Sequence, residues 1–106
     1  MPKLIRMSLV FAATTPLGAN GTVTSGNIST AYASKVTGTV YADQPGTLYI
    51  DWSSDGGTNW DGCDTIPVSA GTPTTIFLDV KTPTMRVRYV NGATAQTVFR
   101  LYVFLK

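Results

Sequence analysis

The sequence contains no histidine and no glutamate, has one cysteine in 106 residues, and is only 13% charged. Each shortage excludes a chemistry. Without histidine there is no general base poised near neutral pH, no Ser-His or Cys-His nucleophile pair, and none of the commonest zinc ligand. Without glutamate, an acid, base or metal site has to be assembled from Asp43, Asp51, Asp55, Asp61, Asp64 and Asp79. Cys63 has no second thiol with which to form a disulfide and no histidine to lower its pKa, so it reads as a neutral thiol. The charged fraction is about half the ~25% of an ordinary soluble domain. With 8 Lys+Arg the formal charge is +2, which is neither charge-driven disorder nor the dense basic footprint of a nucleic-acid binder.

Long apolar runs are also missing. The longest, residues 7–13, falls short of the ~20 residues that a membrane-crossing helix needs. Lys3 and Arg6 ahead of it, with small residues behind, mimic a secretory leader at the short end of its length range. The same residues read as a first strand. A chain of this length is expected to form a single domain, residues 1–106, whose core is thin.

What the sequence has in abundance is Thr, Gly, Ala and Ser around β-branched and aromatic residues, while strong helix formers are scarce. Alternation and turn residues predict strands over 3–12, 35–42, 46–53, 65–68, 74–81, 84–90 and 96–105, with short ones around 21–24 and 27–30. Asp43-Gln44-Pro45-Gly46 reads as a hairpin turn between the second and third long strands. The fold class is therefore all-β, an antiparallel β-sandwich or jelly-roll-like domain of about eight strands. The period of two puts Leu48, Ile50 and Trp52 with Met85, Val87 and Tyr89 on core faces, and Arg86 and Arg88 on a wet face, where Asp51 and Asp79 are available as partners.

The two terminal strands are rich in apolar residues on both sides. Leu4, Arg6, Ser8 and Val10 alternate with Ile5, Met7, Leu9 and Phe11, and Val98, Arg100, Tyr102 and Phe104 alternate with Phe99, Leu101, Val103 and Leu105. A two-layer sandwich covers one face of each sheet. The expected subunit interface is thus Leu4, Ile5, Met7, Leu9, Phe11, Val98, Tyr102 and Phe104. The competing reading is that residues 15–34 of the same chain fold over Tyr102 and Phe104.

Ser53-Ser54-Asp55-Gly56-Gly57-Thr58-Asn59-Trp60 resembles the Asp-box pattern S-x-D-x-G-x-x-W of sialidases and other β-proteins. Its logic is a structural turn of Ser53, Asp55, Gly57 and Trp60. Asp55 accepts main-chain N–H groups, Gly57 takes a positive φ, and Trp60 packs back over the loop. Sialidase activity would need an arginine cluster, a tyrosine nucleophile and an acidic partner, usually glutamate. Asp55, Asn59, Asp61 and Asp64 offer hard oxygen ligands for calcium, but without EF-hand spacing. Arg86, Arg88 and Arg100 would make a positive stripe if their strands were neighbours, and Tyr41 with Tyr49 a weak sugar-stacking platform. No catalytic, cofactor or metal residue is assigned.

From residue 38 onward, GTVYADQPGTLYIDWSSDGGTNWD, TTIFLDV, MRVRYVNG and QTVFRLYVFL follow in an order that resembles a small β-sandwich domain recurrent in structural proteins of tailed bacteriophages. The resemblance implies a virion component without catalytic residues or cofactor. It would be made in the host cytoplasm and placed on the capsid surface or tail. The role expected is capsid decoration (cement), as a homo-oligomer, with a trimer as the expected arrangement, bound to the major capsid protein or other virion proteins. Neither nucleic acid nor a membrane is an expected partner. A tail, fibre or cell-surface carbohydrate-binding module is the alternative.

Overall fold

The computed structural model describes residues 7–106, which form nine strands and no helix. In chain order these are β1 (Ser8–Ala13), β2 (Thr22–Thr24), β3 (Ile28–Ser29), β4 (Lys35–Ala42), β5 (Gly46–Ser53), β6 (Gly62–Val68), β7 (Thr74–Asp79), β8 (Thr84–Asn91) and β9 (Phe99–Leu105). One sheet has the order β1-β9-β4-β7, and the other β2-β8-β5-β6 with β3 also on β8. All pairings are antiparallel, and β5 with β6, β4 with β7, β2 with β8 and β1 with β9 nest one inside the next. A long hairpin rolled up in this way is a jelly roll. The expected fold class holds, with two short strands on β8 raising the number to nine.

The expected hairpin at 43–46 does not form. β4 lies in the first sheet and β5 in the second, so Pro45 and Gly46 turn the chain across the sandwich. Asp43 fixes this corner: its carboxylate accepts N–H groups of Thr97 and Val98, each at 3.0 Å, and the Thr97 hydroxyl at 2.5 Å. Those bonds, the Thr97 hydroxyl first, hold the Asp43 carboxyl below its usual range. Turn chemistry dictates that the chain reverses. Which strand it then meets is decided by where an apolar face finds cover.

The core lies between the sheets, where Val36, Val40, Leu48, Ile50, Trp52, Ile76, Met85, Val87, Tyr89, Phe99, Leu101 and Val103 are buried. Tyr89 and Phe99 pack across it with ring centroids 4.8 Å apart. The described residues measure 46 × 36 × 18 Å, a thin plate with no third layer over either sheet. In the first sheet, Gly38 (φ +150°) opposes Ile76 and Val103, and a Cβ there would run into the Tyr102 carbonyl oxygen. Only glycine lets β4 approach β9 that closely.

Candidate functional site

The 53–60 loop closes the β5–β6 hairpin as the sequence predicts. Ser53 Oγ accepts the Gly57 N–H at 2.8 Å and donates to Asp55 Oδ1 at 2.8 Å. Asp55 in turn accepts the Asn59 main-chain N–H at 2.8 Å and its side-chain amide at 2.6 Å. Gly56 and Gly57 supply φ values of +75° and +99°. The Asn59 N–H above all holds the Asp55 carboxyl down to about 2. Trp60 is half-buried under the Arg86 guanidinium, 4.3 Å from its ring centroid. The carboxylate that would head a calcium site is thus occupied by its own turn. Asp64 is likewise engaged, accepting the Trp52 indole N–H at 2.7 Å and pairing with Lys81 at 2.8 Å. Among the described residues, no three Cys or Asp side chains converge in a way that would hold a metal ion.

On the outer face of the second sheet, Asp51 is only 3% exposed and is gripped by two arginines. Arg86 reaches it at 2.9 Å, and Arg88 donates through Nε at 3.1 Å and a terminal nitrogen at 3.2 Å. Burial opposes ionisation of this carboxyl, yet the Arg88 and Arg86 hydrogen bonds outweigh it and lower its pKa. Arg88 also stacks on Tyr49, 4.1 Å from the ring centroid. Asp79, the other carboxylate offered to the arginines, pairs with Lys35 instead. Cys63 lies opposite Asp51 on the edge strand, and burial first, then that carboxylate, pushes its thiol pKa up.

Arg100 sits on β9, in the other sheet, stacked on Tyr41 at 4.7 Å. Strand order therefore separates it from Arg86 and Arg88 by the thickness of the sandwich, and no single stripe exists. The same separation parts Tyr41 from Tyr49, and each carries a guanidinium over its ring, so the sugar platform is also dissolved.

The outer face of the first sheet is built in rows, because residues in register across antiparallel strands share a face. Phe77, Thr37, Phe104 and Leu9 form one row across all four strands. The next holds Thr75, Thr39, Tyr102 and Ala12, and beyond it Tyr41 lies beside Arg100. The row's other flank is the Lys35–Asp79 pair. Phe77, Met7 and Leu9 are 66%, 57% and 54% exposed, and Phe104 and Tyr102 are half-buried. Between Phe77 and Phe104 the small Thr37 leaves an open trough of about 420 Å³, also lined by Met7 and Lys106. The Thr37 hydroxyl lies buried in this floor without a hydrogen-bond partner.

Of the expected interface residues, Met7, Leu9, Tyr102 and Phe104 come together on this face. Leu4 and Ile5 lie outside the described residues. Phe11 does not join them, because a bulge between Leu9 and Phe11 breaks the alternation and turns Phe11 toward the core, opposite Val103. Val98, half-buried, precedes β9 at the Asp43 corner. Phe77 belongs to the patch and was missed. Its strand alternates so well that its outward side reads as ordinary solvent face. Of residues 15–34, β2 and β3 add to the other sheet along β8, and Pro16 shares a hollow with Tyr102 and Arg100 beyond the end of the Phe77–Leu9 row.

The family described as "Uncharacterised protein YqxG N-terminal domain" matches residues 3–106. Over 70 residues, 65% of this chain, the sequence is 41% identical to the phage-like element PBSX protein XepA of Bacillus subtilis (strain 168). The crystal structure of PBSX exported protein XepA is similar over 94% of this chain, with a TM-score of 0.73 and 27% identity. The chain spans 25% of the first relative and 36% of the solved chain.

Proposed function

The chain belongs to the family of YqxG N-terminal domains, and from that premise we propose that it is a non-enzymatic structural component of a phage element. It works by docking the outer face of its first sheet on another protein subunit. The specific form proposed is capsid decoration: an oligomer, virion-bound, that bridges shell subunits and stabilises them by surface burial. The likeness to a phage-element protein supports the phage setting, and the engagement of Asp43, Asp51, Asp55, Asp64 and Asp79 in local hydrogen bonds and ion pairs supports a role without catalysis.

The observation that carries the reading is the row Phe77–Thr37–Phe104–Leu9, which no other described segment covers. Covering three such apolar side chains is worth ~1.5–3 kcal/mol each before ordering costs. Polar solvent would leave that free energy unused. Co-sedimentation of the purified protein with particles of the encoding phage element, heads and tails separated, tests the proposal. Binding to heads in fixed stoichiometry is expected, and binding to tails would move the role to a tail or fibre module. A stable monomer that ignores both would overturn the proposal.

A further inference from the structure

We infer that the outer face of the first sheet receives an extended segment of a different protein, one that places an apolar side chain in the trough over Thr37 and a carboxylate on Arg100 four residues further along. The inference rests on the docking role proposed above and names the chemistry of its partner. Three observations lead to it. First, the trough is concave and apolar, walled by Phe77 and Phe104, which stand on either side of Thr37 in one cross-strand row. Its floor is the small Thr37, whose Oγ1 is buried below the surface, so what an incoming segment meets there is apolar.

Second, Arg100 is exposed, and none of the four ion pairs among the described residues includes it. Stacking on Tyr41 occupies one guanidinium face and leaves its planar N–H edge for a carboxylate. Tyr41 is in register with Arg100, so this site lies four residues along β4 from Thr37, about 13 Å at ~3.3 Å per residue. An extended segment with the same rise spans that gap between residues i and i+4, both on one side.

Third, a second copy of this chain is a poor occupant. The carboxylate this face presents is that of Asp79, already held by Lys35, while Lys106 adds another cation beside the trough. Face against face, two copies bring excess positive charge together and no unengaged carboxylate for Arg100.

The test is a titration of the isotope-labelled full chain, followed by amide NMR, with acetylated and amidated peptides Leu-Ser-Thr-Ser-Asp and Leu-Ser-Thr-Ser-Lys. The expected result is saturable shifts centred on Thr37, Phe77, Phe104 and Arg100, with the Asp peptide binding at least tenfold tighter. Arg100→Glu should reverse that preference, and Phe77→Ser should weaken both peptides with the rest of the spectrum unchanged. Equal binding of the two peptides, or none, would overturn the inference. So would concentration-dependent shifts at the same residues without peptide, which would mean self-association. Preferential binding to vesicles of anionic over zwitterionic lipid that neither peptide displaces would also overturn it, in favour of a lipid surface. Failure here with retained particle binding removes this partner chemistry alone, whereas loss of particle binding removes the docking role itself.

Discussion

At the scale of single residues, the charges of Asp51 and Asp55 are committed to structure. Asp51 is the clearest case, since one nearly buried carboxylate pairs with Arg86 and Arg88 at once. Asp51→Asn keeps the shape but leaves two guanidiniums facing each other. With those side chains 29% and 31% exposed, solvent softens the penalty, and a loss of about 1–2 kcal/mol is expected in urea unfolding. A variant as stable as the wild type would show that the pair contributes nothing. Asp55 makes a prediction about pH. Its carboxyl is held down to about 2, below the ~3.9 of an unfolded aspartate. The unfolded chain therefore takes up the proton first on acidification. The turn's contribution is fully present above ~3.9 and is lost as pH falls through the folded value. Urea midpoints measured from neutral pH down to strong acid should fall less steeply in Asp55→Asn than in the wild type, and identical slopes would contradict the turn's hydrogen bonding.

At the scale of strands, much was legible and the failures have physical causes. The alternation in β5 and β8 placed Leu48, Ile50, Trp52, Met85, Val87 and Tyr89 correctly, because each strand has one apolar side and a period of two admits no other register. The Ser53–Trp60 turn was legible because its hydrogen bonds are local. The Asp43 corner was not, since a tight turn between two strands looks alike whether they pair or part, and the bonds that decide it come from Thr97 and Val98, far along the chain. The bulge that diverts Phe11 leaves no mark in the pattern of β1 either. Gly38 is where the strands themselves can be tested. In Gly38→Ala the new Cβ meets the Tyr102 carbonyl, at a backbone angle that costs ~1–3 kcal/mol by itself. Thermal unfolding should shift down by several degrees or more, with loss of amide protection along β4 and β9. A neutral substitution would mean that β4 can retreat from β9 freely.

For the whole molecule, the account comes down to a plate 18 Å thick whose first sheet carries an apolar row on its outer side as well as an apolar inner side. The inner side makes the core, and the outer side carries Phe77, Phe104, Leu9 and Met7 into solvent. Cations are pinned over aromatic rings on the two outer faces, Lys35 on Phe77 and Arg100 on Tyr41 on one, Arg86 on Trp60 and Arg88 on Tyr49 on the other. What distinguishes the first face is its apolar row and the unpaired Arg100 at its end. Phe77 is well exposed, so Phe77→Asp should leave stability within about 0.5 kcal/mol of the wild type, as surface substitutions do, yet place a charge where apolar contact is expected. The decisive measurement is therefore co-sedimentation with purified particles of the phage element proposed above as its source, wild type against Phe77→Asp at matched stability. The wild type should pellet at a fixed ratio and the variant should stay in the supernatant. Equal pelleting of both, or a wild-type protein that remains a free monomer beside the particles, would contradict the claim that this face is made to be covered.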